Sequence, residues 1–576
     1  MSVAVALTAE QLEAVDHAGR RTMLVGDVGT GKTTTLVARY CRLAEHVPPS
    51  RLLVVCSDGA AAQRFTDAVL ARMHGGFDVL PITTVYGLAY GLVSRRGGDV
   101  RLLGGAEHRV RVGKLLEAER PADWPLLGHL LGRPAFLREV VAALPDVHAA
   151  GCEAAQAAGG EWAELAGFTR RYVDALEKAG EVDASLLLVR AAVRARHEAG
   201  MFEHILVDDG ERLPPLGVRL VAELAGGDVG WTVACRAPVA ELAAPVVIPL
   251  SHRFRAAPPG ELIRCNHPSV EPEAIAGELL AAHTKGVPWS EMAVLVRHVG
   301  RSARAIARAL ARHGIPVVPL AALASEEPVV RAVLDLLRWV EGGGDGHVDA
   351  LDRLLVSPLA GLDPGVVRAI RREAASTGQP IEADPRLGAL VALRDHLRGR
   401  SAAGDSPAGL VYEAWAGAFA DLAADGRRSA LGAVDDRALD GLVALTDGLR
   451  HFAERNPRAS LSETLAAIEE GGLVPDPWRV AASRGAEGVT ITSIEASSGR
   501  DWDTVVVAGC VEGELPRPHR SVPLFDPARL GGEATPPEER SRQAQALSDE
   551  RQLFAVATSR ARSTLVATAA PQPGVL

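Results

Sequence analysis

The chain has 576 residues, a soft prior for three or four domains, with 47% hydrophobic and 23% charged residues, ordinary for a protein that buries large cores. Its net charge of −10 and pI near 6.0 exclude a uniformly basic nucleic-acid coat but leave room for a local basic channel. The six cysteines (41, 56, 152, 235, 265, 510) form no C-x-x-C pair, the start "MSVAVALTAEQ" lacks a signal peptide, and no run of about 18 apolar residues offers a membrane span, so a reducing cytoplasm is expected.

In chain order, residues 8 to 18 read as a helix with Thr8 as N-cap. "RTMLV" is a short buried strand, followed by a Gly-rich loop and a helix from about Lys32 to His46. "RLLVVC" (51–56) is a second strand and "AAQRFTDAVLARM" a second helix, an alternation that predicts a parallel sheet covered on both faces. Residues from about 104 to 200 carry helical periodicity throughout and read as an all-helical insertion. Strand patterns resume at "HILVDD" and "WTVAC". A second α/β region from about residue 245 includes "MAVLVR", the helix "SARAIARALARHG" and "IPVVPL". Residues from about 337 to 478 are again mostly helical, and strands return at "VTITSI", "DTVVVAG" and "STLVAT". The pattern predicts two parallel sheets, each interrupted by a helical insertion. Its boundaries are 1–90, 91–200 (insertion) and 201–250 for the first sheet, then 251–336, 337–478 (insertion) and 479–576 for the second.

Two stretches carry chemistry. "GDVGTGKTT" places Gly26, Asp27, Val28, Gly29, Thr30, Gly31, Lys32, Thr33 and Thr34 after a strand and at the start of a helix. Its G-x4-G-K-T spacing is that of a P-loop, whose glycines let backbone N–H groups surround phosphate oxygens. Lys32 would reach the β- and γ-phosphates of ATP and the Thr33 hydroxyl would ligate Mg²⁺. Lys32 is one of only four lysines, with 114, 178 and 285. Downstream, "LVDDGE" ends a strand with Asp208 and Asp209, which suit one carboxylate for Mg²⁺ and one to position or deprotonate water.

These motifs, with the paired-sheet layout, resemble the UvrD/Rep-type DNA helicases of superfamily one over nearly the whole chain, from about residue 7 to 568. The resemblance implies RecA-like sheets. "LTAEQLEAV" resembles the family's opening motif, which puts Gln11 against the adenine; "CSDGAAAQRF" and "TVYGLAY" stand where the family has DNA-contact segments. "HRFRA" resembles N-Y-R-S, which implies Phe254 near the adenine and Arg255 near the γ-phosphate. "DERQLFAVATSRAR" resembles E-E-R-R-L-x-Y-V-A-x-T-R-A, which makes Arg560 a second γ-phosphate arginine. The form "GRDWD" followed by "VEGELP" looks more like the actinobacterial AdnA/AdnB helicase–nuclease subunits. Their C-terminal nuclease domain is not expected here, since the sequence stops after "TLVATAAPQPGVL", as a motor-only relative or a fragment would.

The departures from the family pattern cluster. Asp209 replaces a Glu, Glu211 and Arg212 replace a Gln and an Asp, and Val239 stands where a γ-phosphate-sensing Gln belongs. Glu495 and Ser498 replace a His and a Lys, and Ser57 replaces a base-stacking aromatic. Two readings follow from the resemblance. One is a 3′-to-5′ ATP-driven translocase on single-stranded or junction DNA in repair or recombination, with Asp209, Arg255 and Arg560 catalytic and Thr33 and Asp208 on the metal. The other is a non-enzymatic ATP- and DNA-binding scaffold paired with an active motor or nuclease subunit. Trp124, Trp162 and Trp415 are expected in cores, His252, His283 and His313 have no ligand spacing, and the basic run 366–376 reads as a solvated helix face.

Overall fold

The computed structural model describes residues 7–73, 80–95, 100–198, 200–242, 244–252, 258–318, 328–342, 345–414, 488–497, 499–517, 523–530 and 539–571, with isolated residues between 442 and 465. Packing divides the chain into two compact units, one of residues 1–104, 111–297 and 492–576, the other of 105–110 and 298–491.

Thirteen strands are described: β1 Arg21–Gly26, β2 Leu52–Cys56, β3 Ile82–Thr84, β4 Arg101–Leu102, β5 Glu181–Val182, β6 His204–Val207, β7 Gly230–Cys235, β8 Val246–Leu250, β9 Gly260–Arg264, β10 Met292–Val296, β11 Thr490–Ser493, β12 Trp502–Val507 and β13 Ala561–Ala569. The first sheet runs β3-β2-β6-β7-β1-β8 and the second β11-β10-β12-β13-β9. The pairings β2–β3, β2–β6, β6–β7, β7–β1 and β1–β8 are parallel, as are β10–β12, β12–β13 and β13–β9. The fold is thus α/β with two parallel sheets, as the alternation of strands and helices predicts.

Strand periodicity sorts the first sheet's side chains onto two faces. Leu24, Val54, Leu206 and Ala234 point to a core with helices Ala9–Asp16, Lys32–Leu43 and Gly59–Leu70. Met23, Val55, Ile205, Val207 and Val233 point to the opposite core, which runs on into the helical insertion through Trp124, Phe136, Trp162, Phe168 and Tyr172. The insertion is not purely helical. Strands β4 and β5 pair in parallel at its base, and buried Glu181 of β5 binds both Arg101, at 3.2 Å, and Arg111, at 2.5 Å. Two-residue strands lie below the reach of period-two patterning.

One connection of the second sheet enters that same core. After β12 the chain reaches helices Pro134–Ala150 and Gly160–Ala179, where Phe525 is 2% exposed. Its ring lies 5.4 Å from Trp162 and 6.5 Å from Phe136. Trp162 Nε1 donates to the Asp526 carbonyl at 3.1 Å, the Leu524 N–H donates to Glu139 at 3.0 Å, and Arg529 pairs with Glu161.

In the other unit, helices Pro328–Glu341, Asp345–Leu355, Pro364–Thr377 and Gly388–Ala402 bury Leu337, Trp339, Leu354 and Leu397. Of "IPVVPL", the described residues 315–318 give a single bridge, Val317 to Val489, rather than a strand, and Pro316 brings no N–H to a ladder; 319 and 320 lie outside the described residues. Trp415 lies outside the described residues. Among the described residues, no helix is long and apolar enough to cross a membrane.

Candidate nucleotide site at the carboxyl edge of the first sheet

Open parallel sheets bind ligands beyond the carboxyl ends of their strands, and the first sheet gathers its chemistry there. β1 ends at Gly26, and the chain turns through left-handed Gly29 (φ 82°) and Gly31 (φ 78°) into helix Lys32–Leu43. A Cβ on Gly26 would overlap the Thr30 hydroxyl and press on Leu250 at 3.0 Å, so only glycine closes this loop. Thr30 Oγ1 donates to the Asp27 carbonyl at 2.9 Å and the Val28 N–H to Asp27 Oδ1 at 3.0 Å. Lys32 is buried; its Nζ donates to the carbonyls of Gly26 at 2.9 Å and Asp27 at 3.1 Å, which holds the ammonium over the loop.

Thr33 Oγ1 lies 3.0 Å from each oxygen of Asp208, two strands away in the sheet. Burial, then the charge of Asp209, pushes the Asp208 carboxyl above the usual range, against the Thr33 hydrogen bond and the Lys32 charge. Burial and Glu211 likewise raise Asp209. Asp209 is the only non-glycine among the described residues at positive φ, 54°, at the entrance to the short 3₁₀ turn Gly210–Arg212. Short polar side chains tolerate that backbone better than longer ones do.

The glycine cradle, the buried lysine and the hydroxyl–carboxylate pair fit a magnesium nucleotide. No cluster of three His, Cys, Asp or Glu side chains among the described residues could hold a metal. Thr33 and Asp208 therefore suit Mg²⁺ only with phosphate oxygens completing the shell, its usual arrangement.

Two matches to protein families decide the identity. Residues 7–228 match the UvrD/REP helicase N-terminal domain and residues 428–572 the UvrD-like helicase C-terminal domain. The chain carries both domains of a UvrD-type superfamily 1 helicase. No curated protein matches it.

Gln11 is buried and sits in a capping box: its Oε1 accepts from the Thr8 N–H at 3.0 Å and its Nε2 donates to the Thr30 carbonyl at 3.3 Å. The amide thereby braces the P-loop against the first helix. Thr34 follows Thr33 on the helix, half-buried. Phe254 and Arg255 lie outside the described residues, as does Ser498. Arg560 is buried just before β13 of the second sheet, where Nη1 donates to the Arg500 carbonyl at 3.3 Å and lies 3.6 Å from Asp501. Burial lowers its pKa; Asp501 and then Asp209 oppose that shift, so the field of the carboxylate turn reaches it.

The structure links several departures that look independent in sequence. Glu211 Oε1 accepts from Arg236 Nε at 3.0 Å. Arg212 Nη1 lies 3.4 Å from Ser57 Oγ, 3.8 Å from Asp58 and 4.0 Å from Asp209. Glu495 pairs with Arg297 at 2.5 Å, and Arg297 also meets buried Glu550 at 3.1 Å. Val239 packs against the core of the first sheet, 3.7 Å from where a Cβ on Gly210 would stand.

Sequence reasoning also missed Arg39. It is 1% exposed and donates to Thr232 Oγ1 at 2.8 Å and to the carbonyls of Ala14 at 2.7 Å and His17 at 3.1 Å, closing the end of the helix that bears Gln11. Burial pulls its guanidinium down to about 10, and burial with the Arg39 charge holds His204 down to about 3, a neutral imidazole. No spacing pattern marks such a residue. On the expected DNA side, helix Val85–Ser94 is capped by Thr84 and exposes Tyr86 (41%) and Tyr90 (43%) four residues apart.

Proposed function

We propose that the chain hydrolyses ATP to move along single-stranded DNA, with slower turnover than an unaltered UvrD-type motor. The observation that carries this reading is the Thr33–Asp208 contact at 3.0 Å beside the buried Lys32. Loop amides and Lys32 would take the phosphates, and Thr33 and Asp208 would hold Mg²⁺, which when bound screens the phosphate charge. Lys32, Arg255 and Arg560 would neutralise charge that grows on the terminal phosphoryl group in the transition state. Asp209 would orient the attacking water. Its side chain is one methylene shorter than glutamate, a misplacement of roughly 1 Å that can cost about a hundredfold in rate. Tyr86 and Tyr90 would offer stacking faces to bases where Ser57 has none. Polarity from 3′ to 5′ and a role in repair or recombination follow from the resemblance.

A second reading, an ATP-binding scaffold beside an active motor or nuclease subunit such as AdnA/AdnB, is favoured by Val239, an apolar side chain packed into the sheet's core where the family has a phosphate-sensing glutamine. ATP turnover with and without single-stranded DNA separates the two. The motor reading expects Mg²⁺-dependent hydrolysis that DNA stimulates weakly; ATP binding without turnover in either condition would establish the scaffold.

A further inference from the structure

Arg236 stands at a position that the family comparison does not assign. β7 lies between β6 and β1. Cys235 pairs with Val25, so Arg236 is level with Gly26, the first residue of the phosphate loop. On the other side Val207 pairs with Val233, which places Asp208 beside Ala234. A cation at the carboxyl end of this strand is therefore flanked by the P-loop and by the carboxylate turn.

The way the guanidinium is held matters as much as its place. Nε donates to Glu211 Oε1 at 3.0 Å, with the two side chains only 25% and 20% exposed. Among the described residues nothing accepts from Nη1 or Nη2. An arginine gripped at Nε presents its two Nη groups as a planar fork, the shape that binds a phosphate through two parallel hydrogen bonds. Glu211 Oε2 is buried and has no hydrogen-bond donor among the described residues. A carboxylate half-satisfied in this way costs stability unless the arrangement serves something else. The charge of Arg236 also reaches Asp209.

We propose that Arg236 is a phosphate-binding side chain supplied by β7, and that Glu211 positions it so that its Nη pair meets the terminal phosphate of ATP. The inference rests on the nucleotide-binding reading above and adds to it the group that tells ATP from ADP. It would let the Glu211–Arg236 pair take over the phosphate contact that the resemblance places at Val239.

Affinity of the full chain for a non-hydrolysable β,γ-imido ATP analogue and for ADP, both with Mg²⁺, tests it by calorimetric titration. Arg236→Gln should weaken the analogue about ten- to a hundredfold, the worth of one or two charge-assisted hydrogen bonds. ADP affinity should stay within about twofold, since ADP lacks the phosphate in question. Arg236→Lys keeps a cation opposite Glu211 and serves if the Gln variant fails to fold. It should recover part of the loss, because a lysine lacks the fork. Equal weakening of both nucleotides, or of neither, would overturn the proposal and leave the pair a structural link between two strand ends. An unaltered protein that binds neither nucleotide would overturn the reading beneath it as well.

Discussion

The phosphate loop and the carboxylate turn face each other across the same sheet edge and are built on opposite principles. Apart from the Gln11 brace, the loop is held by its own backbone: left-handed glycines, a threonine closing on Asp27, and a lysine folded back on two carbonyls six and five residues away. The turn is held from outside. Glu211 is tied to Arg236, 25 residues on, and Arg212 approaches Ser57, 155 residues back. A motif closed chiefly by its own backbone depends on its own letters, whereas a motif held by remote partners can change letters if the partners change too. The difference explains why one element matches its family pattern without a gap and the other departs at several positions.

Four substitutions would break or sharpen that contrast, and the largest effect belongs to the loop. Lys32→Ala should lower ATP affinity about a hundredfold or more with the fold intact, checked by nucleotide titration and circular dichroism. Retained DNA-stimulated hydrolysis would show that the loop is not the nucleotide site. Next comes Arg39→Met, which strands buried carbonyls at the end of the first helix; a loss of about 2–4 kcal/mol is expected in denaturant melts. A smaller cost would mean that the Gln11 brace does not depend on it.

Asp208→Asn probes the turn. A carboxyl whose folded pKa is raised holds a proton that the unfolded chain has already released, so stability falls as pH rises from about 4 towards the folded value and stays lowered beyond it. The Asn variant removes that penalty. It should melt a few degrees higher than the parent at pH 8 and no higher at pH 4, while Mg²⁺-dependent nucleotide binding weakens. A variant that melts lower at pH 8 would show that the Thr33 contact outweighs the burial of charge. The smallest effect is expected from Asp209→Glu. A longer side chain at φ 54° costs about 1 kcal/mol. Restored reach should nonetheless raise the hydrolysis rate. A fall in rate would show that the left-handed backbone, not side-chain length, sets where the carboxylate points.

Legibility in the sequence follows the same divide. The buried central strands β1, β2, β6 and β7 read directly from apolar runs, and the P-loop from glycine spacing. The edge strands β8 and β9 did not, although β11, also at an edge, did from "VTITSI". β8 carries Pro249 and alternates exposure, and β9 is short, charged and mostly exposed, because an edge needs neither a full apolar run nor a complete set of donors. Asp208 was legible as a strand-end acid, but the backbone of Asp209 was not, since a left-handed aspartate has no signature of its own. Arg39, Arg236 and Arg297 were lost among many arginines. Each acquires its meaning from a partner that only the folded sheet brings near.

The Phe525 anchor bears on how this chain comes off the ribosome. Trp162 waits for a carbonyl that lies 364 residues further along. At roughly 5–20 residues per second, about 20 to 70 seconds pass between the synthesis of the two. Throughout that interval the aromatic cluster of the N-terminal insertion is complete except for one ring, and it offers an apolar cleft to chaperones and to neighbouring chains. The segment around Phe525 therefore finishes a core laid down more than 350 residues earlier in synthesis.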